Sequence, residues 1–423
     1  MAGPIPTRLL PDTAAISADG RLRIGGCDLV DLAGEYGTPL FVYDEAHLRA
    51  RCREAVTAFG DGVAYASKAF LCDAMARLAH EEGMHLDVAT GGELFVALRA
   101  GVPADRLVMH GNNKSDAELA MALDEGVGRI VVDSFDELDR LDAIATATGS
   151  RPRVLLRITP GVEAHTHEFI ATGQDDSKFG FTASSGLATA AVERAVASDS
   201  VELVGLHAHI GSQVFEVEAF ARAIEVLADF AAPFGLAELS VGGGLGVPYV
   251  EGESAPSITE WASGIRAVCE AAGVTASVSA EPGRAIVAAA AVTLYTVGTI
   301  KDLPGIRTYV AVDGGMSDNP RPVLYGSGYE TFLPRATAAE RSRPVRVVGK
   351  HCESGDLLVR EGWVPDDLVV GDVLATPVTG AYGHAMGSNY NHVLRPAVVF
   401  VADGDARTVV RRETFEDLVR REV

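Results

Sequence analysis

The 423-residue chain has no run of about 18 apolar residues, so no stretch is suited to cross a membrane as a helix. Cysteine is scarce. Cys27, Cys52, Cys72, Cys269 and Cys352 are odd in number, widely spread and without CxxC spacing. That pattern argues against a disulfide framework or a zinc site and suits a reducing cytoplasm. Basic residues are in the minority, 36 Lys and Arg against 58 Asp and Glu, giving a formal net charge of −22. Such a surface repels nucleic acid and anionic lipid, so neither is expected as a partner. The opening MAGPIPTRLLPDTAAISADG lacks the apolar core of a signal peptide and reads as a loose arm. No internal repeat or low-complexity stretch is present.

What the chain does have is length and rhythm. With 48% hydrophobic residues it exceeds one ordinary core and predicts two domains. From about residue 40 to 285, short β-rich runs alternate with helical patterns. The runs are VAYAS (63–67), HLDVAT (85–90), RLVMH (106–110), RIVVD (129–133), RVLLRITP (153–160), ELVGLHAHI (202–210), ELSVGGG (238–244) and SVSAEPG (277–283). Between them, segments such as GGELFVALRAG place Leu94, Ala97 and Leu98 on one helical face. Eight consecutive β–α units favour a closed (β/α)8 barrel over a doubly wound sheet. Beyond about residue 290 the runs are β-rich, separated by turns, and long helices are missing. That region reads as a mainly antiparallel β domain, to which DGRLRIGGCDL near residue 19 adds a strand or two. The expected division is a barrel over 38–288 and a β domain from 1–37 and 289–423.

In a barrel, chemistry gathers at the C-terminal strand ends. Those ends carry Lys68, Asp87, His110, Asn112, Asp133, Arg157, His207 and His209, then GGGLG (242–246) and EPGR (281–284). The last two loops lie where barrels commonly bind phosphate. Gly242, Gly243, Gly244 and Gly283 let backbone N–H groups approach an anion, or else simply form tight turns. Arg284 and Ser212 offer further donors. A desolvated Lys68 is a nucleophilic amine able to form a Schiff base; the bland alternative is a lysine reaching to solvent. An aldehyde cofactor bearing a phosphate, pyridoxal 5′-phosphate, satisfies both ends. Glu281 then suits the pyridine nitrogen, holding it protonated, unless it is a salt-bridge partner of Arg284. His209 suits the cofactor face. His207, two residues earlier on the same side of the strand, leaves open which of the two is a packed core histidine. His110 reads equally as structural.

Together, YASKAF, HAHIGSQ, GGGLG, EPGR, CESGD and GAYGHAMGSNYN resemble the diaminopimelate decarboxylase family, pyridoxal-phosphate enzymes built like alanine racemase and eukaryotic ornithine decarboxylase. The resemblance spans about residues 20–420, and HEFIATGQDDSKFGF (167–181) is similar to a loop of that family. It implies a head-to-tail homodimer with two shared active sites. It implies that Lys68 carries the cofactor, Glu281 faces its pyridine nitrogen and His209 stacks on its ring. Ser212, Gly244, Gly283, Arg284 and Tyr382 would lie around the phosphate. Arg284, Arg321, Tyr325, Glu353 and Tyr382 would meet the substrate, with Cys352 and Glu353 reaching in from the partner subunit. On sequence alone Cys352 reads as a small buried thiol; the family motif makes it a proton donor to a carbanion. His384 and Gly387 depart from the family pattern, where an aromatic and a serine are expected, and alter the rim near Tyr382. Ala208 stands where cysteine is common.

The activity so implied is decarboxylation of meso-2,6-diaminopimelate to L-lysine. Rival readings are a sister decarboxylase for ornithine, arginine or a carrier-bound amino acid, an amino-acid racemase, and a non-catalytic pyridoxal-phosphate carrier. CESGD with EPGR disfavours the first. Glu281 disfavours the second, whose members place an arginine at the ring nitrogen. The long β domain disfavours the third.

Overall fold

A computed structural model describes residues 2–162 and 173–423. The chain divides into two compact units: residues 51–246 with 255–285, and residues 1–50 with 247–254 and 286–423.

The first unit is a parallel barrel. Its eight strands are Ala64–Ala66, His85–Val88, Leu107–Met109, Arg129–Val132, Arg153–Thr159, Glu202–His207, Glu238–Ser240 and Ser277–Ser279. They neighbour one another in chain order. Backbone hydrogen bonds from Ala64 N to Ala280 O (3.0 Å) and Ala66 N to Pro282 O (3.3 Å) close the ring. All eight match predicted runs, but each is shorter, since the polar and glycine-bearing ends leave the ladder to form loops. Val108, Val131, Leu155 and Val204 make one buried apolar cluster across the third to sixth strands.

Local chemistry starts and stops the intervening helices. Ser115 forms a capping box with Glu118 at the start of Asp116–Glu125, and Ser257 does so with Glu260 before Ile258–Ala271. Gly126 and Gly149 end two helices in the left-handed conformation, as glycine readily can. Leu94 and Ala97 are buried as their helical spacing predicts, with Leu98 half-buried.

The second unit holds a mixed, mainly antiparallel sheet. Its order is Leu357–Val364, Arg343–Val348, Arg307–Val312, Ala291–Leu303, Leu40–Asp44, Ala397–Ala402 and Asp405–Val410, with Val373–Pro377 also on Ala291–Leu303. Two pairings are parallel, Arg307–Val312 with Arg343–Val348 and Leu40–Asp44 with Ala397–Ala402. The N-terminal arm belongs to this unit, and Ala2 N donates to Arg341 O at 3.0 Å.

Three expectations are corrected. The segment near residue 19 adds no strand to this sheet: Ala15–Ile16, Leu22–Ile24 and Cys27–Asp28 form a small sheet of their own. Residues 38–50, 247–254 and 286–288, expected in the barrel, group with the β-rich unit. For residues 38–50 the reason is Leu40–Asp44, whose five buried residues pair with Ala291–Leu303 and Ala397–Ala402. An apolar run buried on both faces reads alike in either kind of sheet. The β-rich runs expected beyond residue 290, VTLYTVGTI, RTYVAVDGG, PVRVVGKHC, DVLATPVTG, AVVFVADG and TVVRRET, do not include Leu357–Val364, whose pairing with Arg343–Val348 is interrupted by bulges. Residues 167–172 of the family-like loop 167–181 lie outside the described residues. Among the described residues, no helix is long and apolar enough to cross a membrane.

Candidate active site

The first strand stops at Ala66, so Lys68 lies on a short 3-10 turn, Ser67–Ala69, instead of in the ladder. Tyr65 Oη donates to Phe70 O at 2.6 Å and pins this turn. Lys68 is exposed, not desolvated as the sequence suggested. Gly283 packs directly on the same strand: a Cβ there would stand 2.8 Å from Ala66 O. The EPGR loop and the Lys68 turn are therefore neighbours because residue 283 has no side chain.

Glu281 follows the eighth strand and is buried. Ser240 Oγ donates to its Oε1 at 2.6 Å, and His207 Nε2 lies 3.0 Å from its Oε2. His110 Nε2 is 3.8 Å from Oε1. Burial alone would raise the carboxyl's pKa; the two histidines and the hydrogen bonds from His207 and Ser240 reverse this and hold it well below the usual carboxylate range. Asp87 behaves in the opposite way. Burial, then the charge of Glu281, pushes its carboxyl well above normal, with His110 Nε2 at 3.3 Å. Two carboxyls at one barrel end are thus driven apart, one ionised and one toward its neutral form.

The histidines sort themselves by burial. His207 is the packed one, 1% exposed and bound to Glu281, with His110 edge-on at 5.1 Å. His209 lies past the strand end, half-buried, and its Nδ1 accepts from Gly243 N at 3.1 Å. Burial, then Lys68 and Arg157, pushes its imidazole well below normal, so the ring is neutral. Burial pushes His110 to about 3. Arg157 sits over the Phe179 ring at 4.2 Å and 3.7 Å from Asp133. His110, His207 and Glu281 offer ligand atoms within 4.8 Å of one another. Both oxygens of Glu281 are already engaged, by Ser240 and His207, so the group reads as a hydrogen-bonded carboxylate.

The glycine loop is built against backbone. Gly242 and Gly244 have φ of +69° and +115°. A Cβ on Gly243 would lie 2.3 Å from Glu281 O, and one on Gly244 2.3 Å from Gly211 O. Glu281 N donates to Gly242 O and Val214 N to Gly244 O, at 2.8 and 2.9 Å, knitting the sixth, seventh and eighth loops together. Arg284 donates to Ser212 Oγ at 2.8 Å beside them. The barrel end thus brings together Lys68, His209, Ser212, Gly244, Glu281, Gly283 and Arg284. An exposed lysine, an ionised buried carboxylate, a neutral imidazole and loops cleared of side chains fit the aldehyde, ring nitrogen and phosphate of pyridoxal phosphate.

The second unit carries the remaining candidates. Arg321 starts the short helix Arg321–Tyr325 and is buried. Its guanidinium donates to Tyr329 Oη at 2.6 Å and lies 4.0 Å over the Tyr249 ring. Tyr325 and Tyr382 are half-buried, Tyr382 with φ +60°. Cys352 is exposed, not buried as its residue type alone suggested, and Glu353 is exposed beside it. Cys352 N donates to Asn391 Oδ1 at 3.0 Å, and Glu353 Oε1 accepts from Gly355 N at 3.1 Å. His384 packs edge-on against Phe41 at 5.8 Å, with Arg395 donating to its carbonyl oxygen. A Cβ at Gly387 would stand 3.1 Å from both that oxygen and the Arg395 guanidinium, so the histidine and the glycine form one packing unit. Reading the sequence missed Ser240, Tyr249 and Tyr329. Ser240 had a signal, standing at a strand end directly before the glycine loop.

The family model described as pyridoxal-dependent decarboxylase, pyridoxal binding domain, matches residues 45–288. The chain is 51% identical to the diaminopimelate decarboxylase of Mycobacterium tuberculosis, over 96% of this chain and 95% of that protein. It is 46% identical to the diaminopimelate decarboxylase of Bacillus subtilis, over 97% of each. Among solved structures, the diaminopimelate decarboxylase of M. jannaschii in complex with L-lysine superposes with a TM-score of 0.90 at 33% identity, covering 97% of this chain and 98% of that one.

Proposed function

The chain belongs to the pyridoxal-dependent decarboxylases, in the diaminopimelate decarboxylase family, and from that premise we propose how its residues divide the conversion of meso-2,6-diaminopimelate to L-lysine and CO2. Pyridoxal 5′-phosphate, when bound, supplies an aldehyde for the amine and a protonated ring that accepts the electron pair left by CO2. Lys68 holds the cofactor through its amine. Glu281 keeps a proton on the facing ring nitrogen, and Ser240 and His207 keep Glu281 ionised for that task. His209 packs on the ring as a neutral imidazole. Ser212, Gly244, Gly283, Arg284 and Tyr382 hold the phosphate.

At the substrate, Arg321, Arg284 and Glu353 match the charges of the distal amino-acid centre, with Tyr325 and Tyr382 beside them. Tyr249 and Tyr329 fix the Arg321 guanidinium in place. Cys352, or Lys68, returns a proton to the carbon that lost CO2. Cys352 and Glu353 act from the partner subunit of a homodimer; their exposure in the single chain supports that reading. A cytoplasmic location accords with five cysteines that form no disulfide among the described residues.

The single observation that carries the reading is the buried Glu281, bonded by Ser240 at 2.6 Å and His207 at 3.0 Å, at the mouth of a barrel whose preceding loop must be glycine. The test is a product assay with purified protein and added cofactor. Lysine and CO2 should form from meso-diaminopimelate, with ornithine, arginine and lysine consumed at far lower rates. Preference for one of those three would overturn the substrate assignment.

A further inference from the structure

The opposite end of the barrel carries chemistry that the reaction does not use. His85, Arg129 and Arg153 begin the second, fourth and fifth strands, and Arg106 precedes the third. With Arg151 they line an open cleft of about 510 Å3. That end of a barrel ordinarily serves stability alone.

The charges there run against those of the chain. In a protein of net charge −22, four guanidinium groups converge on one cleft. Glu238 serves two of them, accepting from Arg129 Nε at 2.5 Å and from the Arg153 guanidinium at 2.8 Å. Asp61 accepts from Arg106 at 2.7 Å and stands 3.5 Å from His85 Nε2. Asp105 also lines the cleft, and Arg151 lies exposed on it. Donors exceed acceptors: Arg106 Nε is buried without a hydrogen-bond partner. Burial first, then Arg106 and Arg129, pushes the His85 imidazole to about 4, against the pull of Asp61.

We propose that this cleft binds a small multivalent oxyanion, a phosphate or a polycarboxylate, at a site separate from the cofactor's. Guanidinium forks pair bidentately with both anion types. The volume falls in the range of small-ligand pockets, about 300–1,000 Å3.

The test uses holoenzyme whose cofactor has been fixed by borohydride, so that the cofactor's phosphate loop is filled. Pyrophosphate and citrate are titrated separately by calorimetry at constant ionic strength. At least one should bind one site per chain with a Kd of about 1 mM or tighter. Pyrophosphate alone would identify a phosphate ligand, and citrate alone a carboxylate ligand. The double variant R151E/R153E should weaken binding at least about tenfold. In the unreduced enzyme it should leave cofactor content and kcat unchanged. Arg99→Glu, on an outer helix, is the control for general charge. If the double variant does not fold, Arg151→Ala serves, with binding weakened about threefold or more. No saturable binding of either anion, undiminished binding in these variants, or an equal loss in Arg99→Glu would each overturn the proposal.

Discussion

Gly243→Ala tests whether the glycine loop holds the cofactor. The backbone at residue 243 is not among the left-handed glycines, so alanine brings no conformational strain there. The added methyl alone acts, and it would lie 2.3 Å from Glu281 O, where ordinary contacts begin near 3.4 Å. Something must move by about an ångström. The carbonyl cannot yield alone, because Glu281 N is tied to Gly242 O at 2.8 Å and its side chain to Ser240 and His207 at 2.6 and 3.0 Å. The loop must therefore shift. Overpacking of this kind costs about 1–3 kcal/mol. Apoprotein relieves the clash by moving the loop, and binding must pull it back, so the cost falls on affinity. That range corresponds to roughly 5- to 150-fold weaker cofactor binding. The assay is titration of apoprotein with pyridoxal phosphate, followed by absorbance. Gly34→Ala is the control, in the helix Leu29–Tyr36 with nothing within 4 Å, and should bind cofactor normally. Cofactor affinity within twofold of wild type in Gly243→Ala would refute the reasoning and detach the loop from the phosphate.

Glu281→Gln should keep the cofactor and lose roughly a hundredfold in kcat, the scale of removing one preorganised electrostatic group; near-normal turnover would take Glu281 out of the mechanism. Borohydride should fix the cofactor to the peptide containing Lys68, and label on another lysine would reassign the cofactor's attachment. Mixing inactive Lys68→Ala and Cys352→Ala subunits should restore up to about a quarter of wild-type activity, half the dimers having one intact site; continued inactivity with confirmed exchange would argue against shared sites. Burial, then Arg395, pushes His384 to about 3 from 6.5, so as pH falls below 6.5 the unfolded chain takes up a proton that the folded chain refuses, and stability declines. His384→Phe keeps the packing on Phe41 and should be more stable than wild type by about 1.4 kcal/mol at pH 5.5 but not at pH 7.5; equal shifts at both pH values in urea melts would exclude the titration.

The barrel was legible because short β-rich runs alternate with helical patterns in eight consecutive units. Strand ends were less legible. His209 and Gly242 read as strand, yet the ladder stops at His207 and Ser240. The chemistry-bearing residues gain their position by leaving the ladder, which periodicity does not record. Lys68 and Glu281 were legible as candidates because each stands out at a strand end. Ser240 was not, since a serine before glycines also marks a plain turn. Its role exists only through a partner 41 residues on. Tyr249 and Tyr329 were hidden for the same reason. They flank Arg321 from a loop and from beyond its helix, and no spacing rule links them.

The strand Leu40–Asp44 has a consequence in time. It takes its place between Ala291–Leu303 and Ala397–Ala402. A ribosome adding about 5–20 residues per second reaches those partners tens of seconds after making Leu40. Throughout that interval a five-residue segment that is fully buried in the folded protein, apolar from Leu40 to Tyr43, has both hydrogen-bonding edges unfilled. The barrel strands, all encoded between, can pair meanwhile. The nascent chain thus carries a sticky segment that only its last third can cover, and products truncated before Ala291 should aggregate more readily than the full chain.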